Sequence, residues 1–142
     1  MSSEARLYNF SQDTRTHLRK FSLSTSRSKE PQAVIYLIDK NSYEIKQQDQ
    51  TVYNSLEDIS DALPDNSPRF VLLSYPLTLT DDGFKPVPYV LVYYLPATCN
   101  AGAKMMYAGA KELMRSTSNV GKVFDIEDAE DILEIPAKLG QK

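Results

Sequence analysis

Side chains that bind metals or act as nucleophiles are almost missing from this 142-residue sequence, which has one cysteine, Cys99, and one histidine, His17. A single cysteine excludes an internal disulfide and fits a reducing, cytoplasmic setting. One Cys and one His cannot complete a zinc cage. The acidic run at 125–134 lacks the alternating oxygen ligands and central glycine of an EF-hand loop. Glycine is scarce too, with five in all. The one glycine-rich stretch, between Gly102 and Gly109, matches neither the P-loop nor the dinucleotide fingerprint. No metal and no cofactor is therefore expected. There is no run of 18 apolar residues and no charged-then-apolar leader, so neither a membrane span nor a signal peptide is expected. An excess of positive charge is also lacking: 16 basic against 19 acidic residues give a net charge of −3, which argues against a general nucleic-acid binder.

Catalysis has little to draw on. Cys99 lies just ahead of a predicted helix N-terminus, where a thiolate is favoured, and His17 is the only imidazole that could serve it. No local motif links them, and a nucleophile–base pair needs strict geometry. The residues favour binding over catalysis.

What is present is the composition of a soluble globular protein, 42% hydrophobic and 25% charged. Its length suits one domain over 1–142, with a core from about 12 to 135 and flexible termini. Charge is polarised along the chain. Residues 1–29 carry Arg6, Arg15, Arg19, Lys20, Arg27 and Lys29 against Glu4 and Asp13 alone. Residues 125–134 carry Asp125, Glu127, Asp128, Glu130, Asp131 and Glu134 with no cation.

Read in order, 11–21 predicts a short helix capped by Ser11, with Leu18 and Phe21 as its apolar anchors. A Ser-rich loop follows over 22–31. Ala33-Val-Ile-Tyr-Leu-Ile38 and the alternating Tyr43-Glu-Ile-Lys46 read as a hairpin around the turn Asp39-Lys-Asn-Ser42. Ser55 opens a second helix through Asp58, in the manner of a capping box. Leu56, Ile59 and Leu63 are its buried stripe, and Pro64 ends it. Two near-continuous apolar runs, 68–75 and 88–95, predict strands covered on both faces, joined through the turn signal Asp81-Asp-Gly83. Thr98 or Asn100 opens a long helix. A short strand over 121–126 and an acidic helical segment around 128–135 close the chain. The order predicts an α/β (α+β) fold with a mixed sheet and helices on both faces.

The long helix, about 100–117, organises the rest. At ~100° per residue, Ala103, Met106, Tyr107, Ala110, Leu113, Met114 and Thr117 fall within one core-facing arc. Lys104, Ala108, Lys111 and Arg115 share a neighbouring face, with Met105, Gly109 and Glu112 beside them. A mid-helix glycine costs about 1 kcal/mol against alanine, and Met105 is apolar on an outer face. Solvent and a closely approaching partner both remain open as the reason.

Lys104-Met-Met-Tyr-Ala-Gly-Ala-Lys111 resembles the long-helix signature of the actin-depolymerising-factor homology family, to which the cofilins belong. Leu18-Arg-Lys-Phe21, Leu63-Pro64, Pro68-Arg-Phe-Val71, Ser74-Tyr75, Asp81-Asp-Gly83, Met105-Met-Tyr-Ala-Gly109 and Lys122-Val-Phe-Asp-Ile126 move the match toward one branch, the glia maturation factors. The resemblance runs in order from about 14 to 132. It implies a five- or six-stranded mixed sheet sandwiched between helices. It also implies a non-enzymatic monomer of the cytoplasm and cortical actin, with the nucleus a second location. Such a protein binds the actin-related protein 2/3 complex in the groove of the actin-related protein 2 subunit, dissociates filament branches and suppresses nucleation, while binding actin itself poorly. The implied docking residues are Ser2, Ser3, Lys104, Met105, Ala108, Gly109, Glu112, Glu127 and Asp128, with Arg19 and Lys20 on a second surface. The alternative is an actin monomer or filament binder of cofilin or coactosin type. Against it, the hairpin Thr80-Asp-Asp-Gly-Phe-Lys85 and the helix end Met114-Arg-Ser-Thr-Ser118 each keep one cation where cofilins cluster lysines. Lys104 points the other way: cofilins carry Lys there, and vertebrate glia maturation factors tend to have Gln.

Overall fold

A computed structural model of the chain describes residues 7–25, 29–77 and 86–140. The elements follow the expected order. They are α1 (Gln12–Thr25), β1 (Gln32–Ile38), β2 (Ile45–Gln47), α2 (Leu56–Ala62), β3 (Arg69–Ser74), β4 (Tyr89–Tyr94), α3 (Ala101–Ser118), β5 (Lys122–Ile126), a 3₁₀ segment (Ala129–Glu134) and α4 (Ile135–Lys138). The strands form one sheet in the order β2-β1-β3-β4-β5. All neighbours are antiparallel except β4 and β5. A parallel pair needs a crossover, which α3 supplies.

Strand alternation sorts the core into two layers. Val34, Tyr36, Phe70, Leu72, Leu91 and Tyr93 face α1 and α3, where they meet Leu18, Phe21, Tyr107, Ala110 and Met114. Ala33, Ile35, Val71, Leu73, Val90, Val92 and Tyr94 face the other way, onto Leu56, Ile59, Ile132 and Ile135. β3 and β4 are buried on both faces, as their unbroken apolar runs predict. Helices do cover both sides, and the sheet has five strands.

Caps set the helix bounds. The Ser11 hydroxyl accepts the Thr14 N–H at 3.0 Å, and that of Ser55 accepts the Asp58 N–H at 3.1 Å. Of the two possible residues it is Asn100 that opens α3, its carbonyl oxygen accepting the Ala103 N–H at 2.7 Å. Asn119 closes α3 in the left-handed conformation, φ 59°, as helix C-termini often require.

Four features differ from expectation. Ordering does not begin near residue 12, because Tyr8 and Phe10 are buried in the α1–α3 layer. α1 runs past Phe21 into the expected loop, where the Thr25 hydroxyl donates to the Phe21 carbonyl at 2.9 Å and Thr25 is buried. β2 starts two residues late because Tyr43 adopts a positive φ of 60°. Asp39 sets up that turn: its carboxylate accepts from Asn41 and Ser42 N–H at 2.8 and 3.2 Å, which holds its pKa below the ordinary value. Last, the acidic segment is 3₁₀ before it is α-helical. There the Asp131 carboxylate accepts the Asp128 N–H at 3.1 Å. The Asp81-Asp-Gly83 turn lies outside the described residues.

Candidate docking surface

The inner stripe of α3 is Tyr107, Ala110, Met114 and Ser118, all buried. Tyr107 anchors it, since its hydroxyl accepts the Ile38 N–H at 3.0 Å and its ring lies 5.4 Å from that of Phe70. The rest of the predicted arc, Ala103, Met106, Leu113 and Thr117, is half-buried at the margins. Ser118 belongs to the stripe although no apolar pattern marks it, and its hydroxyl donates to the Met114 carbonyl at 2.7 Å.

Opposite this stripe, Met105, Ala108, Glu112 and Ser116 form an exposed outer ridge. Met105 is 75% exposed. Lys104, Lys111 and Arg115 lie along one flank of the ridge, and Met106, Gly109 and Leu113 along the other. The cations have different tasks. Lys111 reaches β5, where its Nζ is 2.9 Å from Asp125, and it also lies 5.1 Å from the centre of the Tyr93 ring. Arg115 pairs with Glu112 through two further hydrogen bonds of 3.0 and 3.1 Å, which holds the Glu112 carboxyl below its ordinary pKa. Among the described residues, no ion pair holds Lys104.

The signature run thus divides by role. Tyr107 and Lys111 serve the fold. So does Gly109, because a Cβ placed there would lie 2.6 Å from the Tyr8 hydroxyl. Lys104, Met105 and Ala108 have no such internal task and remain outward-facing. Sequence reasoning leaves Tyr8 in a loose terminus; the alternation Tyr8-Asn-Phe10 ahead of the Ser11 cap is the one signal there, and it is too short to mark a packed segment.

Glu127 and Asp128 join the same end of α3 by topology. β4 and β5 run parallel and finish with Tyr94 opposite Ile126, and the Leu95 N–H continues the ladder to the Ile126 carbonyl at 2.9 Å. The turn after β5 and the connection into α3 therefore leave the sheet together. They share a groove of about 470 Å³ lined by Asp65, Thr98, Glu127, Asp128 and Asp131. Ser2 and Ser3 lie outside the described residues.

Arg19 and Lys20 are both exposed on α1 but diverge. Arg19 lines a groove of about 360 Å³ with Arg15, Thr117 and Asn119, at the C-terminal end of α3. Lys20 lines another with His17, Glu30 and Asn54. At 1.5 Å per residue, Asn119 is roughly 20 Å along α3 from Lys104 and about 10 Å from Glu112, so the groove beside Arg19 lies toward the far end of α3 from Lys104 and Met105.

The inventory for chemistry stays thin. His17 is hydrogen-bonded to the Tyr36 hydroxyl at 2.7 Å and stacked on Phe21; burial lowers its pKa. Cys99 sits in the β4–α3 connection, its N–H donating to the Pro96 carbonyl at 3.2 Å. The two have separate surroundings and do not form a dyad. Among the described residues, no group of three or more His, Cys, Asp or Glu side chains is placed to hold a metal ion, and no helix is long and apolar enough to cross a membrane.

Known proteins share this fold with the chain. The family model described as cofilin/tropomyosin-type actin-binding protein matches residues 8–136. The chain belongs to the actin-depolymerising-factor homology family. Within that family it falls in the glia maturation factor branch. It is 31% identical to human glia maturation factor beta over 142 residues, covering 99% of this chain and 98% of the relative. It is 40% identical to protein AIM7 of Saccharomyces cerevisiae over 144 residues, covering 94% and 96%. The solution structure of glia maturation factor from Caenorhabditis elegans superposes with a TM-score of 0.77 at 28% identity, covering 98% of this chain and 99% of that one. A Streptomyces griseoflavus cofilin shares the fold at a TM-score of 0.73 and 15% identity, covering 92% and 98%.

Proposed function

We propose that this protein is a non-enzymatic regulator of the actin cytoskeleton. It binds the actin-related protein 2/3 complex, dissociates filament branches and inhibits branched nucleation, working in the cytoplasm at cortical actin and also in the nucleus. The observation that carries the reading is the outward ridge of α3, where Met105 and Ala108 are exposed. An apolar, small-residue ridge lets a partner groove close tightly. Met105 is the anchor, Ala108 the close contact, and Lys104 the flanking charge. Ser2, Ser3, Gly109, Glu112, Glu127 and Asp128 complete the surface. Arg19 and Lys20 form a second one. The partner is inferred from the glia maturation factor relatives; the face is inferred from exposure.

The alternative is direct binding to actin monomers or filaments, favoured by the family's description as actin-binding and by Lys104, which no ion pair holds among the described residues. Charge weighs against filament-side binding. Lys111 and Arg115, the cations in the second half of α3, are both paired with carboxylates, which leaves little free positive potential there. The hairpin at 80–85 lies outside the described residues.

Time-lapse imaging of branched filaments separates the readings. Micromolar protein should raise the rate of branch loss without shortening unbranched filaments; intact branches would overturn the proposal. Tight cosedimentation with filaments alone would favour the alternative.

A further inference from the structure

His17 carries the only imidazole in the chain, and the docking reading gives it no task. It is half-buried on α1, stacked on Phe21 at 6.0 Å between ring centroids and 6.2 Å from the ring of Tyr36. Its Nδ1 lies 2.7 Å from the Tyr36 hydroxyl. Tyr36 is fully buried on β1, and among the described residues its hydroxyl has no other hydrogen-bond partner. This bond has a preferred direction. A phenol carries one hydrogen, and a neutral imidazole has one nitrogen that donates and one that accepts. When Tyr36 donates to Nδ1, the imidazole hydrogen sits on Nε2 and no buried hydrogen is left over. In the reverse sense Nδ1–H donates to the Tyr36 oxygen, and the phenol hydrogen is buried with nothing to accept it, which is the costly outcome. Protonation imposes that reverse sense, because both nitrogens of an imidazolium donate. Tyr89 gives no relief: its ring lies 6.1 Å from Phe21, but its hydroxyl is buried with no partner among the described residues.

We propose that the His17–Tyr36 hydrogen bond is a proton-operated latch, which ties the middle of α1 to β1 while the imidazole is neutral and lets that part of the helix lift when it is protonated. The groups around the imidazole do not cancel the effect. Lys20 and Glu30 line the groove beside it with opposite signs, and Gln32, Val52 and Asn54 in the same groove are uncharged. Asp13, one turn earlier on that face of α1, is exposed. Tyr36 and Tyr89 stay neutral, because burial raises the pKa of both. Leu18 and Phe21 keep α1 on the core, so the lift loosens residues 17–25 without undoing the fold. That stretch includes Arg19 and Lys20. Mild acid therefore moves the second surface and leaves the α3 ridge in place. The latch needs only His17 and Tyr36; its consequence for a partner rests on the docking function proposed above.

The test begins with the unaltered protein. Nitrogen chemical shifts of the His17 ring read the tautomer, and above the titration they should report a hydrogen on Nε2 and a bare Nδ1. A hydrogen on Nδ1 overturns the latch. Amide protection across 17–25, corrected for intrinsic exchange, should fall about tenfold between about pH 7 and pH 5, while that of β3 holds within about twofold. A parallel fall in β3 would be global loosening and would overturn the latch as well. Two variants then isolate the cause. His17→Gln keeps an oxygen that can accept from Tyr36 but cannot titrate, and the fall should vanish. Tyr36→Phe removes the conflicting hydroxyl but leaves the imidazole buried, and the fall should shrink to less than about threefold. A fall that persists in Tyr36→Phe comes from burying the charge alone, and one that persists in His17→Gln comes from another group; either sinks the latch. If the exchange pattern holds but the protein does not bind the actin-related protein 2/3 complex at neutral pH, the latch stands and the proposed function fails.

Discussion

At Tyr93 the hydroxyl is buried with no hydrogen-bond partner among the described residues, as is that of Tyr89, and burial, followed by the Asp125 charge, pushes the Tyr93 pKa up to about 12. A buried donor left unpaired costs about 1–3 kcal/mol, so Tyr93→Phe should be neutral or stabilise the fold by up to about 1 kcal/mol in urea unfolding. A loss greater than that would mean the hydroxyl has a partner. Lys111, over the same ring, behaves differently. Its ion pair with Asp125 is largely exposed and is discounted for solvent, which leaves about 0.5–1 kcal/mol for the pair and the ring contact together. Lys111→Ala should lose that much stability. Lys104→Ala with Met105→Ala should shift the melting temperature by no more than about 2 °C, as expected of exposed positions, while weakening partner binding at least tenfold by titration calorimetry. A large melting shift would mean that the ridge is not free.

At the scale of elements, α3 was the most legible part of the sequence, because its 18 residues repeat the apolar spacing often enough to fix both its type and its rotation. β3 and β4 were legible for a related reason: their continuous apolar runs admit only strands buried on both faces. Tyr8 and Phe10 were not, since two alternating aromatics are too short a pattern to tell from a loose terminus. Their partners on α3 and β2 come from distant sequence. The positive φ of Tyr43 was also hidden, because the turn that Asp39 sets up places an ordinary aromatic residue, not a glycine or asparagine, in the left-handed region. The candidate site divides in the same way. Exposure of Met105 and Ala108 follows from helical period, whereas the reason for Gly109 is a tertiary contact. Capping gives a direct check on α3: Asn100→Ala removes the acceptor for Ala103 N–H and should destabilise by about 1 kcal/mol in thermal unfolding. Deleting residues 1–10 removes two buried aromatics, Tyr8 and Phe10, each contributing about 1.5–3 kcal/mol, and should lower stability by several kcal/mol.

For the whole molecule, stability should respond to mild acid through His17. Burial lowers its pKa from 6.5, so the folded state prefers neutral imidazole. The associated stability is fully present above about pH 6.5, and is lost as pH falls through the lowered folded value. Lys20 and Glu30 line the same groove, and Tyr36 accompanies the imidazole from below. The melting temperature should fall between pH 7 and 5 and lose most of that slope in His17→Gln; an unchanged slope would place the titration elsewhere. The parallel entry of β5 has a kinetic consequence. β1, β3 and β4 pair antiparallel in the middle of the sheet, whereas β5 can be laid against β4 only once α3 has crossed the layer. Assembly of the C-terminal third therefore waits on α3, and its reversal is the easiest partial opening. Hydrogen exchange should find β5 and α3 less protected than β3. The ridge and the acidic turn would then melt as one unit while the central strands persist, leaving a species that keeps its sheet but has lost its grip on a partner.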